Sequence, residues 1–203
     1  MNFVSTTELA GSGERFATAA EFFEKMGGAW SSVRSQVLKM ETRQKYVEAE
    51  SPSWVAWMVE NNWAKSMELL EGSREEDVPL YDELKKRGVD FVRCRPVNYP
   101  LSPYMKWEFE VFKFNQRHGE RIFIANSVAV PSFTADVAQH DFMVFDATVA
   151  CIHNYDEEGL IVGGWWLKDQ RAILELMKIH TYLKSNSLPF EVVRQANEAR
   201  TDG

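Results

Sequence analysis

Cysteine is nearly absent from this 203-residue sequence, with only Cys94 and Cys151. Their spacing suits neither a zinc ribbon nor a redox CxxC pair, and two thiols are too few for the framework of a small secreted protein. Both are expected as buried free thiols on strands, because free Cys behaves as a small hydrophobe. Basic clusters are scarce too. The densest run is Lys85-Lys86-Arg87, acidic residues precede it, and the formal net charge is −7. Nonspecific DNA or RNA binding runs on clustered Lys and Arg, so no direct nucleic-acid contact is expected. No stretch approaches the roughly 18 apolar residues of a membrane span. No basic segment followed by an apolar run marks a signal peptide. The expectation is a cytoplasmic protein with no membrane contact. P-loops, dinucleotide Gly-rich loops, Gly-x-Ser-x-Gly elbows and usefully spaced Cys-His pairs are all missing.

Aromatic residues are plentiful: 13 Phe, 7 Trp and 6 Tyr. They allow a substantial core and also suit a ligand cavity, the core being the commoner use. The length predicts one domain over 1–203. Residues 1–15 read as a loose leader. Phe16 to Met26 has helical spacing, stopped by Gly27-Gly28. Residues 33–46 suggest a helix turning into a strand near Leu38–Glu41. Ser51-Pro52 is a helix start, for a helix over 52–71 that breaks near Asn61-Asn62. Residues 72–78 look like a loop, and 79–87 a short helix ended by Gly88. Residues 16–88 are thus mainly helical, and 89–190 form a sheet plus a closing helix. Predicted strands are 89–95, 105–114, 122–130, 142–145, 148–153 and 160–166; alternation of Trp107, Phe109 and Val111 supports the second. Asp169 caps a helix over 170–184. The fold class is α/β or α+β: N-terminal helices, a central mostly antiparallel mixed sheet, and a C-terminal helix packed on it.

Four blocks carry a family resemblance. They are VRSQVLKMETRQKYVEAESPSW, KKRGVDFVRCRPVNYPLSPYMKWEFE, HGERIFI and HDFMVFDATVACIHNYDEEGLIVGG. In this order they resemble an actinobacterial domain-of-unknown-function family often encoded beside helix-turn-helix regulators. The likeness spans roughly 31–190. The leader is longer than in the family, and Met143 stands where Trp is usual. The closing block also looks like a degenerate phospholipase-D half-domain. If Asp146 is that motif's Asp, Gln139 and Asp141 occupy its His and Lys positions, which removes the nucleophile and the phosphate-binding ammonium.

Polar residues spread over the predicted strands supply the candidate site. His153 with Asp156, Glu108 or Asp141 would do acid–base work if they converge. Such a set also suits a divalent ion, but the spacing matches no ligand signature, so no metal site is named. Arg93, Arg95, Tyr104, Trp107, Glu120 and Asp146 are the candidate ligand-binding residues. Arg93 and Arg95 are expected to pair with Glu108 or Glu110 on a neighbouring strand. The competing reading, turn caps and a hydrogen-bond network around Tyr104, is favoured. His180 is read as a satisfied core histidine. The functional expectation is a regulatory module that binds a small molecule or a regulator protein, without an intact catalytic motif; a homodimer is compatible. The alternative is a small specialised-metabolism enzyme with a His/carboxylate site in an aromatic-lined pocket. No cofactor can be named.

Overall fold

A computed structural model describes residues 2–127 and 133–201. In chain order the helices are α1 (Thr6–Ala10), α2 (Ala19–Ser32), α3 (Pro52–Met58), α4 (Trp63–Arg74), α5 (Val78–Lys86), α6 (Pro103–Arg117), α7 (Gln170–Ser185) and α8 (Phe190–Thr201). The strands are β1 (Glu14–Phe16), β2 (Gln36–Met40), β3 (Asp90–Val97), β4 (Arg121–Asn126), β5 (Phe142–Phe145), β6 (Val149–Tyr155), β7 (Ile161–Leu167) and β8 (Leu188–Pro189). All eight join one mixed sheet in the order β1-β7-β6-β5-β2-β3-β4-β8. β2, β3 and β4 are parallel neighbours, and every other pairing is antiparallel. Parallel neighbours need crossovers. Helices α3 to α5 supply the one between β2 and β3, and α6 the one between β3 and β4.

Helix boundaries follow local chemistry. Ser51 caps α3 through its hydroxyl, with Pro52 in the first turn. Ser102 and Pro103 start α6 in the same way. Asp169 accepts the amide of Ala172 at 2.8 Å to begin α7. These caps satisfy amides that have no intrahelical partner.

The two sheet faces differ in chemistry because successive strand residues point to opposite sides. One face presents Leu38, Met40, Val92, Cys94, Phe142, Val144, Ile152 and Leu167. Helix α7 covers it with Ile173, Leu176, Ile179 and Leu183. The opposite face is apolar at its flanks. Phe22 of α2 and Tyr81 and Leu84 of α5 pack there with Val37, Phe91, Phe145 and Trp166. Trp107 and Phe112 of α6 and Phe190 of α8 pack with Ile122 and Ile124. Between these flanks the strands carry Lys39, Arg93, Arg95 and His153. Trp165 and Trp166 fall on opposite faces, as their adjacency requires.

Several sequence expectations change. Residues 105–114 are not a strand but most of α6, which is buried nearly all round. Gly27-Gly28 does not stop α2, which continues to Ser32. Residues 72–78 are not a loop: α4 passes through a short 3-10 turn into α5. The leader holds α1 and β1. β4 ends at Asn126; the end of the predicted 122–130 strand, 128–130, lies outside the described residues.

Candidate functional site

Helices α2 and α6 lie apart over the polar face, and a cavity of about 330 Å³ opens between them. β2 contributes Lys39 and the following residue Glu41, β3 contributes Arg93, and β6 contributes His153 and Tyr155. The segment after β2 brings Tyr46 and Glu48. Tyr104, Glu108 and Asn115 come from one stripe of α6, while Phe23, Met26 and Trp30 come from α2. Larger clefts lie elsewhere, two of them of about 750 Å³ beside α6 and α8 and about 770 Å³ beside residues 47–52. The first is edged by surface ion pairs such as Glu110–Lys113 and Glu191–Arg194, and neither gathers buried charge.

Arg93 is the hub of the cavity floor. Its Nε donates to Glu120 Oε1 at 2.5 Å, Nη2 to Glu120 Oε2 at 3.2 Å, and Nη1 to Glu41 Oε2 at 2.7 Å. Glu108 Oε1 stands 3.6 Å from Nη1. Lys39 holds the other oxygen of Glu41 at 2.8 Å, and the Tyr81 hydroxyl donates to Glu120 at 3.0 Å. Burial opposes every one of these charges. Even so, Glu120 and Glu41 hold Arg93 protonated well above its usual range. In return Arg93, then Lys39, keeps the Glu41 carboxyl far below the usual carboxylate range.

A second network lies alongside. Asp141 accepts from the Tyr46 hydroxyl and from the amide of Thr42 at 2.7 Å. Arg95, fully buried, donates Nη1 to the Tyr46 oxygen at 2.9 Å. Its Nε has no hydrogen-bond partner, and its guanidinium sits 5.0 Å over the Tyr46 ring. His153 Nδ1 is 3.1 Å from the Tyr155 hydroxyl, and its Nε2 is 3.7 Å from Cys151 Sγ. Burial pulls His153 down to about 4, so its imidazole is neutral at neutral pH. Burial pushes the Cys151 and Cys94 thiols up to about 12, so neither is a ready thiolate.

The structure gathers some of the sequence-predicted residues and disperses others. Arg93, Tyr104, Glu108 and His153 line the cavity. Glu120 lies behind Arg93. Glu108 reaches Arg93 from the helix above the sheet rather than from a neighbouring strand, and Glu110 faces away to Lys113. Arg95 meets Tyr46 rather than either glutamate. Asp141 braces the segment after β2. Asp146 caps the approach to β2, accepting the amides of Arg34 and Ser35 at 2.7 Å. Asp156 closes the β6–β7 turn through the amides of Gly159 and Leu160. Trp107 is fully buried and donates to Ser53 at 2.9 Å, pinning α6 to α3. Sequence reasoning missed Lys39, Glu41, Tyr46, Glu48, Asn115 and Tyr155. The signal for the first two was present: Lys39 and Glu41 alternate with Leu38 and Met40. Among the described residues, no group of three or more His, Cys, Asp or Glu is placed to hold a metal ion.

An α/β fold that carries a polar, aromatic-walled cavity on one sheet face is the class these observations define. The chain belongs to the family described as domain of unknown function DUF6879, whose model matches residues 24–193. No curated protein matches the sequence. Among solved structures the fold is similar to TrmBL2, an archaeal chromatin protein with a novel mode of DNA binding. That likeness has a TM-score of 0.45 and 9% identity over 86% of this chain. It takes in 53% of the neighbour, so the chain spans about half of that protein's length. The expectation of no direct nucleic-acid contact conflicts with this DNA-binding neighbour and is withdrawn. Its grounds were the net charge and the lack of a basic run along the sequence, and neither reports on a local surface assembled by the fold. A likeness at this level carries nothing further to this chain. No described helix is long and apolar enough to cross a membrane.

Proposed function

We propose that this chain is a binding module for a small polar molecule, held in the cavity between α2 and α6. The observation that carries this reading is the convergence of Lys39, Glu41, Arg93, Glu108 and Tyr104 around an open volume of about 330 Å³. Taking ionised groups out of water costs several kcal/mol per ion unless they are well paired. A sheet face serving the fold alone is more cheaply filled with apolar side chains, as the α7 face is. Charge and empty volume together point to a ligand, and about 330 Å³ lies within the usual range for small-molecule pockets. Binding rather than catalysis fits the chemistry of the lining. Its one imidazole is neutral and faces a phenol, and the nearby Cys151 thiol is not activated.

A thermal-shift screen against a metabolite library tests this. Compounds that raise the melting temperature are expected, and Met26→Trp, which adds bulk to the α2 wall, should abolish their effect. A library without hits, or hits indifferent to Met26→Trp, would remove the proposal.

A further inference from the structure

Asn115 stands in the cavity wall near the end of α6 and is 2% exposed. Its backbone carbonyl accepts the amide of Glu120 at 3.1 Å, which holds it beside the Arg93 cluster. Its side chain has no such fixed role. Among the described residues, Oδ1 is buried without a hydrogen-bond partner. A buried acceptor left unmade costs free energy that a leucine of similar shape would not. An asparagine at this position therefore calls for a partner outside the chain. Its terminal torsion is soft, so the amide can turn either its oxygen or its N–H to the cavity. One side chain can thus read a donor and an acceptor that lie side by side.

The groups around it restrict what that partner can be. Lys39, Glu41, Arg93 and Glu120 bond one another across the floor. Glu108 accepts from the Tyr104 hydroxyl at 2.7 Å, and the neutral His153 faces the Tyr155 hydroxyl at 3.1 Å. A charged group arriving at the floor would have to break ion pairs that are already made; a neutral one would not. The walls are rings: Phe23 and Trp30 from α2, Tyr104 from α6 and Tyr155 from β6. Rings pack best on other rings, offset or edge to face, at centroid separations of about 4.5–7 Å. A volume of about 330 Å³ is at the small end for ligand cavities and suits one or two rings.

We infer that the ligand of this cavity is a neutral aromatic ring with a donor and an acceptor side by side on its edge, which pair with the Asn115 amide. A carboxamide on the ring has this edge, and so does the amino face of adenine. The inference rests on the proposed binding function and names its ligand class. Asparagine makes the same two-point pairing with the amino group and ring nitrogen of adenine in nucleic-acid recognition. An acceptor alone would leave Oδ1 unmatched, and an amide without a ring would leave the walls uncovered.

Titration calorimetry on the full chain decides the matter. The probes are benzamide, nicotinamide and adenine. The comparators are methyl benzoate, which lacks the donor, benzoate and 2-phenylethylamine, which carry charge, and propionamide, which lacks the ring. At least one probe is expected to bind ten times more tightly than every comparator, and the better of amide and purine identifies the source. Asn115→Leu should weaken that probe tenfold or more while the melting temperature stays level or rises, because the unmatched acceptor is gone. The contrast of benzamide with methyl benzoate needs no variant, so it holds whether or not Asn115→Leu folds. Failure of all three probes overturns the inference, as does a comparator that matches the best of them. A folded Asn115→Leu that keeps full affinity overturns it too. A library hit of other chemistry that Met26→Trp abolishes would sink this ligand class alone; no ligand of any class would sink the binding function as well.

Discussion

Arg93→Met is the substitution that most directly tests the account of the cavity floor. It removes one cation from among Glu41, Glu108 and Glu120, whose side chains are 10%, 6% and 0% exposed. Each carboxylate keeps one partner: Lys39 for Glu41, Tyr104 for Glu108 and Tyr81 for Glu120. Glu120 loses most, because both its oxygens bond the guanidinium and no water reaches it. Stranding a buried charge by removing its partner costs about 3–5 kcal/mol. With a urea slope of about 2.5 kcal/mol/M, the midpoint should fall by about 1.2–2 M, followed by Trp fluorescence. Adding Glu120→Leu removes the stranded carboxylate, so the double variant should regain at least about 1 kcal/mol over Arg93→Met. A midpoint for Arg93→Met within about 0.3 M of the parent, or a double variant no better than the single, would refute the reasoning. The acid limb adds a check on sign. Glu41 has a depressed folded-state pKa, so its contribution is full above its ordinary value of 4.5 and is lost as pH falls below it. Arg93→Met should flatten that limb.

Two further outcomes are expected. His153 and His180 are both pulled down to about 4 by burial, and half-buried His140 is lowered as well. The unfolded chain therefore takes up protons first, and melting temperature should drop as pH falls from 6.5 toward 4; His153→Gln should reduce that slope, and a flat profile in this window would contradict neutral buried imidazoles. Gly164→Ala should destabilise by about 1–3 kcal/mol in chemical denaturation, because a Cβ there runs into the Ile152 carbonyl and the Phe22 ring. Gly28→Ala, with open space at the same position in α2, should instead stabilise by about 0.5–1 kcal/mol; equal effects at the two sites would mean that the α2–β7 contact is looser than described.

How much of this could be read in the sequence depends on which signal each segment carries. The β5–β7 meander was legible because Asp146 and the Asp156–Gly159 turn punctuate three short apolar runs. Helix α7 was legible from Asp169 and the Ile173, Leu176, Met177 stripe. Helix α6 was not. Its apolar residues at 107, 109 and 111 imitate a period of two, and buried Glu108 and Asn115 blur the polar stripe of Lys106, Glu110, Lys113 and Arg117 that marks its turns. Its start signal, Ser102-Pro103, repeats the Ser51-Pro52 pattern that marked α3, and it outweighs the apparent alternation. Within the site, Arg93 and Glu108 drew notice as charges among hydrophobes. Tyr46 and Glu48 did not, since a segment between elements shows no periodicity and only the tertiary fold turns it over the sheet. Asp141, Asp146 and Asp156 carried a true turn signal, and turn chemistry is what the last two perform.

The same alternation that builds the fold also builds the cavity floor. Along β2 one set of side chains, Leu38 and Met40, enters the dry layer under α7, while Lys39 and then Glu41 enter the charged layer under α6. β3 repeats the arrangement with Val92 and Cys94 against Arg93 and Arg95. A one-residue slip in the β2–β3 register would put lysine and arginine into the α7 core and leucine under Glu108, so the charged layer penalises wrong registers as strongly as the apolar layer does. Floor residues are therefore tied to folding as well as to any ligand, and substitutions there will change stability and binding together. Glu48 and Asn115 stand outside this coupling. Neither belongs to a strand, and neither has an ion pair to Arg93. Changes at these two positions are the ones that separate the chemistry of the cavity from the architecture that holds it.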